Sequence, residues 1–176
     1  MDKEKSVWKS SAESGVFFGI YLSATFLSFI YSTSAPIISL LGLALFFGTP
    51  IVLAVLMHRY HMSHPATSSF TSVCMYGTGT FLFGSLIWAA LAFVVLEYIE
   101  PGFITSQAAQ ALALYESTPE MKELDFTKAL RAAIENKELP TPIDFCMQMV
   151  WMSISIGMFL SLFITPIVRL FKHKNK

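Results

Sequence analysis

Charge is scarce in this chain, and the middles of its apolar blocks have none. Lys and Arg together number 12, as do Asp and Glu, so 14% of the 176 residues are charged against 54% hydrophobic. A soluble domain carries roughly a quarter charged residues, which is well above what this sequence can offer a water-facing surface. The formal net charge is zero, so the basic field that draws a protein to nucleic acid is missing and no such partner is expected. Without an acidic or basic side chain in mid-span, a proton-coupled pump has no relay. Cysteine is nearly absent as well. Cys74 and Cys146 sit far apart in apolar stretches and make no C-x-x-C or Cys/His spacing suited to zinc. They read as small buried hydrophobes, with a disulfide between them left open. H-E-x-x-H, G-x-S-x-G and a phosphate-cradling glycine loop are all missing, so neither an enzyme nor a cofactor is expected.

What the chain does have is long apolar runs. Crossing about 30 Å of hydrocarbon takes roughly twenty residues of helix at 1.5 Å each. Four blocks qualify, at about residues 12–33, 35–57, 70–98 and 143–171. Lipid offers no partner for backbone N–H and C=O groups, so each block is predicted to be helical. A barrel would need short strands of alternating polarity, and nothing in the sequence alternates. Lys3, Lys5 and Lys9 before the first run, with Ser32-Thr33-Ser34 after it, imitate a secretory signal; the segment is read here as a true span. The fold expected is all-α: a polytopic membrane protein of four transmembrane helices in one bundle covering 1–176.

Basic residues accumulate on the cytoplasmic side of spans. Lys3, Lys5, Lys9, Arg59, Arg169, Lys172, Lys174 and Lys176 fall on one side of a four-span layout, with only Asp2, Glu4 and Glu13 against them. From Glu97 to Asp144, on the other side, nine acidic residues face four basic ones. Both ends are therefore expected in the cytoplasm, with the loop at 101–141 extracytoplasmic. Thr105–Tyr115 and Phe126–Asn136 are predicted as two short amphipathic helices in that loop, either forming a small cap on the outer surface or lying along the headgroups, and Ser117-Thr118-Pro119-Glu120 as a cap followed by a first-turn proline.

Small residues let membrane helices approach closely. Ser153, Gly157, Ser161 and Thr165 recur every four residues in the last block; Gly15 and Gly19, and Thr80 and Gly84, form shorter pairs. These eight are the candidate helix-packing positions, for an intramolecular bundle or for a homodimer. Gln148 is the deepest strongly polar side chain and is expected to bond across to another helix. Pro50 and Pro166 should kink their helices, but matching breaks in two halves, the mark of inverted-repeat transporters, are missing. His58, His61 and His64 share a short stretch with Arg59 and Tyr60. With no carboxylate close in sequence to complete a metal site, they read as an interfacial basic and aromatic turn.

Ser6-Val7-Trp8-Lys9 leading into Ser14-Gly15-Val16-Phe17-Phe18-Gly19, the run Phe81-Leu82-Phe83-Gly84, and Tyr98-Ile99-Glu100-Pro101-Gly102-Phe103-Ile104 carry a resemblance. Together with a last span ending in a Lys-rich tail, they resemble the domain-of-unknown-function family 4199, small four-span membrane proteins of Bacteroidetes. The likeness spans nearly the whole chain in layout and these stretches in residues; the His-rich connection departs from it. It implies four spans and an inner-membrane location, and supplies no activity and no catalytic residues. The function expected is a non-enzymatic scaffold or accessory subunit that binds other membrane proteins within the lipid bilayer, as a monomer or a homo-oligomer. The alternative is a small oligomeric transporter or channel component, for which the Ser153–Thr165 stripe and Gln148 would have to line a wet path. An intramembrane enzyme would require His58 and His61 to converge with an acidic side chain.

Overall fold

A computed structural model of the chain describes residues 6–33, 36–64 and 68–170. Lys3, Lys5, Lys172, Lys174 and Lys176, which carry most of the basic count on the expected inner side, lie outside the described residues. Among those described, the chain is helical throughout: α1 (Val7–Ile30), a 3-10 turn (Tyr31–Thr33), α2 (Pro36–Ser63), α3 (Phe70–Val94) running into a π-turn (Val95–Ile99), α4 (Phe103–Ser117), α5 (Pro119–Lys122), α6 (Asp125–Glu135) and α7 (Pro142–Leu170). Four of these helices, α1, α2, α3 with its π-turn, and α7, are long and apolar enough to cross a membrane. The protein is an integral, multi-pass membrane protein. Prolines open α2 and α7 at a position where the missing N–H would have no partner anyway.

The chain divides into two compact units: the residues up to Leu91 together with those from Gln148 onward, and Ala92–Met147. In the first unit, glycine contacts set the order and direction of the helices. Close neighbours of α1 and α3 are Ser11 with Gly79, Gly15 with Phe83, and Gly19 with Ile87. Each step of four residues up α1 meets a step of four up α3, so these helices run parallel. Ser28 lies against Gly42, and Tyr21 lies further along α2 against Gly48, making α1 and α2 antiparallel. Tyr60 stacks on Tyr76 with ring centroids 4.2 Å apart, while Met57 reaches Gly77, so α2 and α3 are antiparallel too. Gly77 meets Ser161 and Phe81 meets Gly157, which sets α7 against the direction of α3. The result is an up-down-up-down bundle with α3 touching the other three helices. Accordingly α3 buries Val73, Tyr76, Thr80, Phe81, Ser85 and Trp88, whereas the 28 residues of α2 bury only Gly42, Leu53, Met57, Tyr60 and His61. The core cluster joins Phe18, Leu53, Met57, Tyr60, Tyr76 and Phe81 with neighbours from α7.

The second unit contains the helical loop and the adjoining ends of α3 and α7. Its entry is the π-turn, closed by a hydrogen bond from Glu100 N–H to the Val95 carbonyl at 2.8 Å, just ahead of the Pro101-Gly102 break. Tyr115 and Phe126 meet edge-to-face at 5.6 Å, and Thr127 is buried with its hydroxyl donating to the Met121 carbonyl at 2.7 Å, so α4 and α6 pack as a hairpin around the short α5. An Arg131–Glu116 pair at 2.6 Å ties the same helices; being partly exposed it is worth at most about 1 kcal/mol. Pro119 opens α5 as expected, but the hydroxyls of Ser117 and Thr118 donate back to the Leu114 carbonyl at 2.7 and 3.3 Å. Neither caps α5.

Two helix ends carry devices that decide where this loop stops. At the end of α6, Glu138 N–H donates to the Ala133 carbonyl at 2.8 Å and Lys137 N–H to the Ile134 carbonyl at 3.3 Å, the paired bonds of a Schellman ending. The residue that must turn left-handed there is Lys137, with φ 57°, where glycine would carry no steric cost. At the start of α7, Thr141 and Asp144 satisfy each other's backbone N–H groups, and the two side chains are joined at 2.5 Å, in a capping box. Replacing Lys137 by Gly is expected to stabilise the protein by about 1 kcal/mol, and Thr141→Ala to cost about 1 kcal/mol. In detergent the thermal midpoint should move about 2–4 °C upward and downward respectively, as followed by far-UV circular dichroism.

Candidate functional site

The polar and small residues of the spans fall into three groups. The first is the α1–α3 seam. A methyl added at Gly15 would stand 2.5 Å from the Phe83 Cβ, one at Gly19 would stand 2.8 Å from the Ile87 Cβ, and one at Gly84 would stand 2.9 Å from the Phe18 ring. Gly15, Gly19 and Gly84 thus face one another inside one chain. Thr80 is fully buried on the same helix and donates to the Tyr76 carbonyl at 2.8 Å. That carbonyl also accepts from the Ser11 hydroxyl at 3.2 Å, and the Tyr76 hydroxyl reaches Ser14 at 2.6 Å. The lower part of the seam is therefore tied by hydrogen bonds and the upper part by contact alone.

The second group is the stripe on α7. Gly157 lies against the Phe81 ring and Ser161 against Gly77. Ser161 and Thr165 are fully buried, and Thr165 donates to the Ser161 carbonyl at 2.6 Å. Ser153, the first residue of the stripe, is half-buried and faces a cleft. Gln148, one turn earlier, is exposed and makes no side-chain hydrogen bond among the described residues; the expected bond to another helix is not formed.

The third group is the end of α2. His58, His61 and His64 do not gather: among the described residues, no three His, Cys, Asp or Glu side chains lie close enough to hold a metal ion. His64 instead stacks on Tyr60 at 4.8 Å, on the ring that also contacts Tyr76, with its Nδ1 3.2 Å from the Tyr60 carbonyl. His61 is buried. Cys74 and Cys146 are both free thiols.

A cleft of about 470 Å³ opens in the first unit between α1, α2 and α7, with α3 as its floor. Phe26 and Trp88 meet edge-to-face at 5.5 Å and Phe29 and Phe46 at 6.2 Å along its wall. Its hydroxyl groups are few, and those of Thr25 and Thr49 are turned back onto their own helices, to Tyr21 and Leu45. Pro50 also lines it, and having no N–H it leaves the Phe46 carbonyl without its usual helical donor.

Several participants escaped the sequence reading. Tyr21 donates its hydroxyl to the Leu45 carbonyl across the α1–α2 interface, in space left by Gly48. Gly77 and Gly79 admit Ser161 and Ser11. The signal was available for Gly77, which stands seven residues from Gly84 in a helix, but not for Tyr21, which reads as an ordinary apolar-block aromatic.

A family model matches residues 13–169 of the chain. The chain belongs to that family. Its description reads "Protein of unknown function (DUF4199)", the same family that the motifs at Ser14–Gly19 and Phe81–Gly84 suggest. No curated protein and no solved structure matches the chain. The DUF4199 match runs from the first span into the last, taking in the glycine seam and the α7 stripe alike. Membership thus agrees with the membrane character of the fold and adds no chemistry to it.

Replacing Gly15 or Gly19 by Ala forces α1 and α3 apart against atoms close to the backbone, and each change should cost about 1–3 kcal/mol, as overpacking does. A methyl added at Gly102 would meet nothing within 4 Å, so Gly102→Ala should leave stability unchanged within about 0.5 kcal/mol. Comparing the three variants by thermal unfolding in one detergent separates a packing seam from a general intolerance of glycine replacement.

Proposed function

We propose that this protein is a non-enzymatic scaffold or accessory subunit of the cytoplasmic (inner) membrane that binds other membrane proteins, with both termini cytoplasmic and the 101–141 loop outside. The observation that carries this reading is the dry packing of the α7 stripe. Gly157, Ser161 and Thr165 would have to line water for transport, and they lie instead in the packed interior, Gly157 against Phe81 and Ser161 against Gly77. Thr165 donates its hydroxyl to its own helix. Ser161, whose Oγ is buried without a hydrogen-bond partner among the described residues, is enclosed by packing against Gly77, an arrangement that suits structure rather than conduction.

Binding to another protein is supported by the second unit. Leu114, Met121, Leu124 and Phe126 are exposed at 65, 42, 52 and 62%, on the loop helices and the α5–α6 connection outside the four apolar spans. Exposed apolar side chains in a cluster mark contact surfaces, and the tip of the α4–α6 hairpin holds four of them around one short turn. The Lys and Arg distribution supports the orientation: Lys3, Lys5, Lys9, Arg59, Arg169, Lys172, Lys174 and Lys176 fall on one side of the four-span layout, and basic residues near span ends mark the cytoplasmic side.

Two experiments test the reading. In a background without Cys74 and Cys146, a membrane-impermeant maleimide applied to intact cells should label Glu138→Cys and spare Lys174→Cys; labelling of both or of neither overturns the orientation. A gentle-detergent pull-down with mass spectrometry should recover a partner with the wild type and lose it about tenfold with Leu124→Asp/Phe126→Asp, a change of about 1.4 kcal/mol in binding. If the double variant elutes and melts like the wild type yet no partner depends on those two side chains, the scaffold role through this loop is wrong.

A further inference from the structure

The geometry points to the α1–α2–α7 cleft as a binding site for one acyl chain of a membrane phospholipid, a role independent of any protein partner. The cleft, of about 470 Å³, falls within the usual size of small-ligand sites, roughly 300–1,000 Å³, and three fillings compete for it. Water would need roughly fifteen molecules at 30 Å³ each, with two to four polar partners apiece. The lining offers hydroxyls at Thr25, Thr49 and Ser153, and the first two already bond to their own helices. An empty void of this size would forfeit packing contacts on every wall. Hydrocarbon suits the walls and is the medium around a protein with four membrane-spanning helices.

Access is lateral. Phe29, Phe46, Phe47, Met152 and Ile156 line the cleft and are themselves exposed, so the mouth opens on the face of the first unit that meets lipid. Its depth is marked by Trp88, which lines the floor and is only 9% exposed. Phe29 and Phe46 lie towards the Tyr31–Thr33 turn, so the chain would enter from the leaflet on that side. Met149 and Met152, flexible and polarizable, suit a wall that must follow a bending chain. Among the described residues no charged side chain lines the cleft, consistent with a site for a tail whose headgroup stays outside.

Trp88 supplies the test. Trp8→Phe/Trp151→Phe leaves Trp88 as the sole indole, and Trp8→Phe/Trp88→Phe leaves Trp151, which is 68% exposed. Both proteins are reconstituted into phosphatidylcholine vesicles with or without bromine along one acyl chain. Despite its burial, Trp88 should lose emission to the brominated chain to nearly the same extent as Trp151. Ser153→Leu, which fills the cleft, should restore most of the Trp88 emission and leave Trp151 quenching unchanged; Thr49→Leu serves the same end if the first variant misfolds. Trp88 emission indifferent to bromine means that protein, such as a second copy, occupies the cleft. Quenching by aqueous iodide means water does. Quenching unaffected by either filling variant means the chain reaches Trp88 by another route. Each of these three results overturns the proposal.

Discussion

Two α-helices in hydrocarbon gain little by hiding apolar side chains from each other, because lipid tails are as apolar as leucine. What remains is contact, and contact falls away steeply with distance. Gly15, Gly19 and Gly84 are therefore the positions on which the first unit depends: with no side chains there, α1 and α3 come close enough for Gly84 to lie within van der Waals reach of the Gly19 and Gly15 backbones. Once α1 and α3 are fixed parallel, the short Tyr31–Thr33 turn forces α2 antiparallel beside α1, and α7 takes the remaining face of α3 through Gly77 and Phe81.

The same absence of water governs the hydroxyls. Ser23, Thr25, Ser28, Thr49, Thr78, Thr80 and Thr165 each donate to the carbonyl four residues back in their own helix. A buried donor without an acceptor is costly, and this local bond satisfies it without help from a neighbouring helix. Among the described residues, side-chain bonds between membrane helices run from Ser11 to the Tyr76 carbonyl, from Tyr76 to Ser14 and from Tyr21 to the Leu45 carbonyl. Ser68 and Ser161 bury hydroxyls that have no hydrogen-bond partner among the described residues.

The all-helical fold and its four long apolar helices were legible because one constraint, backbone satisfaction without solvent, leaves a single solution for each long apolar run. The helices of the loop were legible from composition and breakers, and the structure adds the π-turn before Pro101 and the Thr141–Asp144 cap, features set by one or two hydrogen bonds that no periodicity announces. Small-residue spacing indicated that Gly15 and Gly19 belong to a seam but not which helix would meet it, since a stripe has no address. Gln148 shows the opposite limit. Its polarity suggested an inward role, yet nearly two turns into α7 it sits on the exposed face of the helix, a choice of face that polarity alone does not announce.

The seam also bears on what a partner could use. Gly15, Gly19 and Gly84 are occupied by one another within the chain, and Gly157 by Phe81, so the positions best suited to close helix contact are no longer available to a second protein. The surfaces left on α2 and α7 carry large side chains such as Phe47, Ile51, Trp151 and Phe163, which pack against a lipid tail about as well as against another helix and therefore discriminate poorly. Specific recognition of a protein needs a surface whose alternative is water rather than lipid, because only there does burial of apolar area contribute a driving force. On the proposed function that condition falls to the hairpin around Leu114, Met121, Leu124 and Phe126, exposed on a segment outside the four apolar spans, and the spans are left with the condition for holding lipid. On that reading the division of labour would follow from solvent: helices in hydrocarbon are matched by shape, and a partner is chosen where water is the alternative.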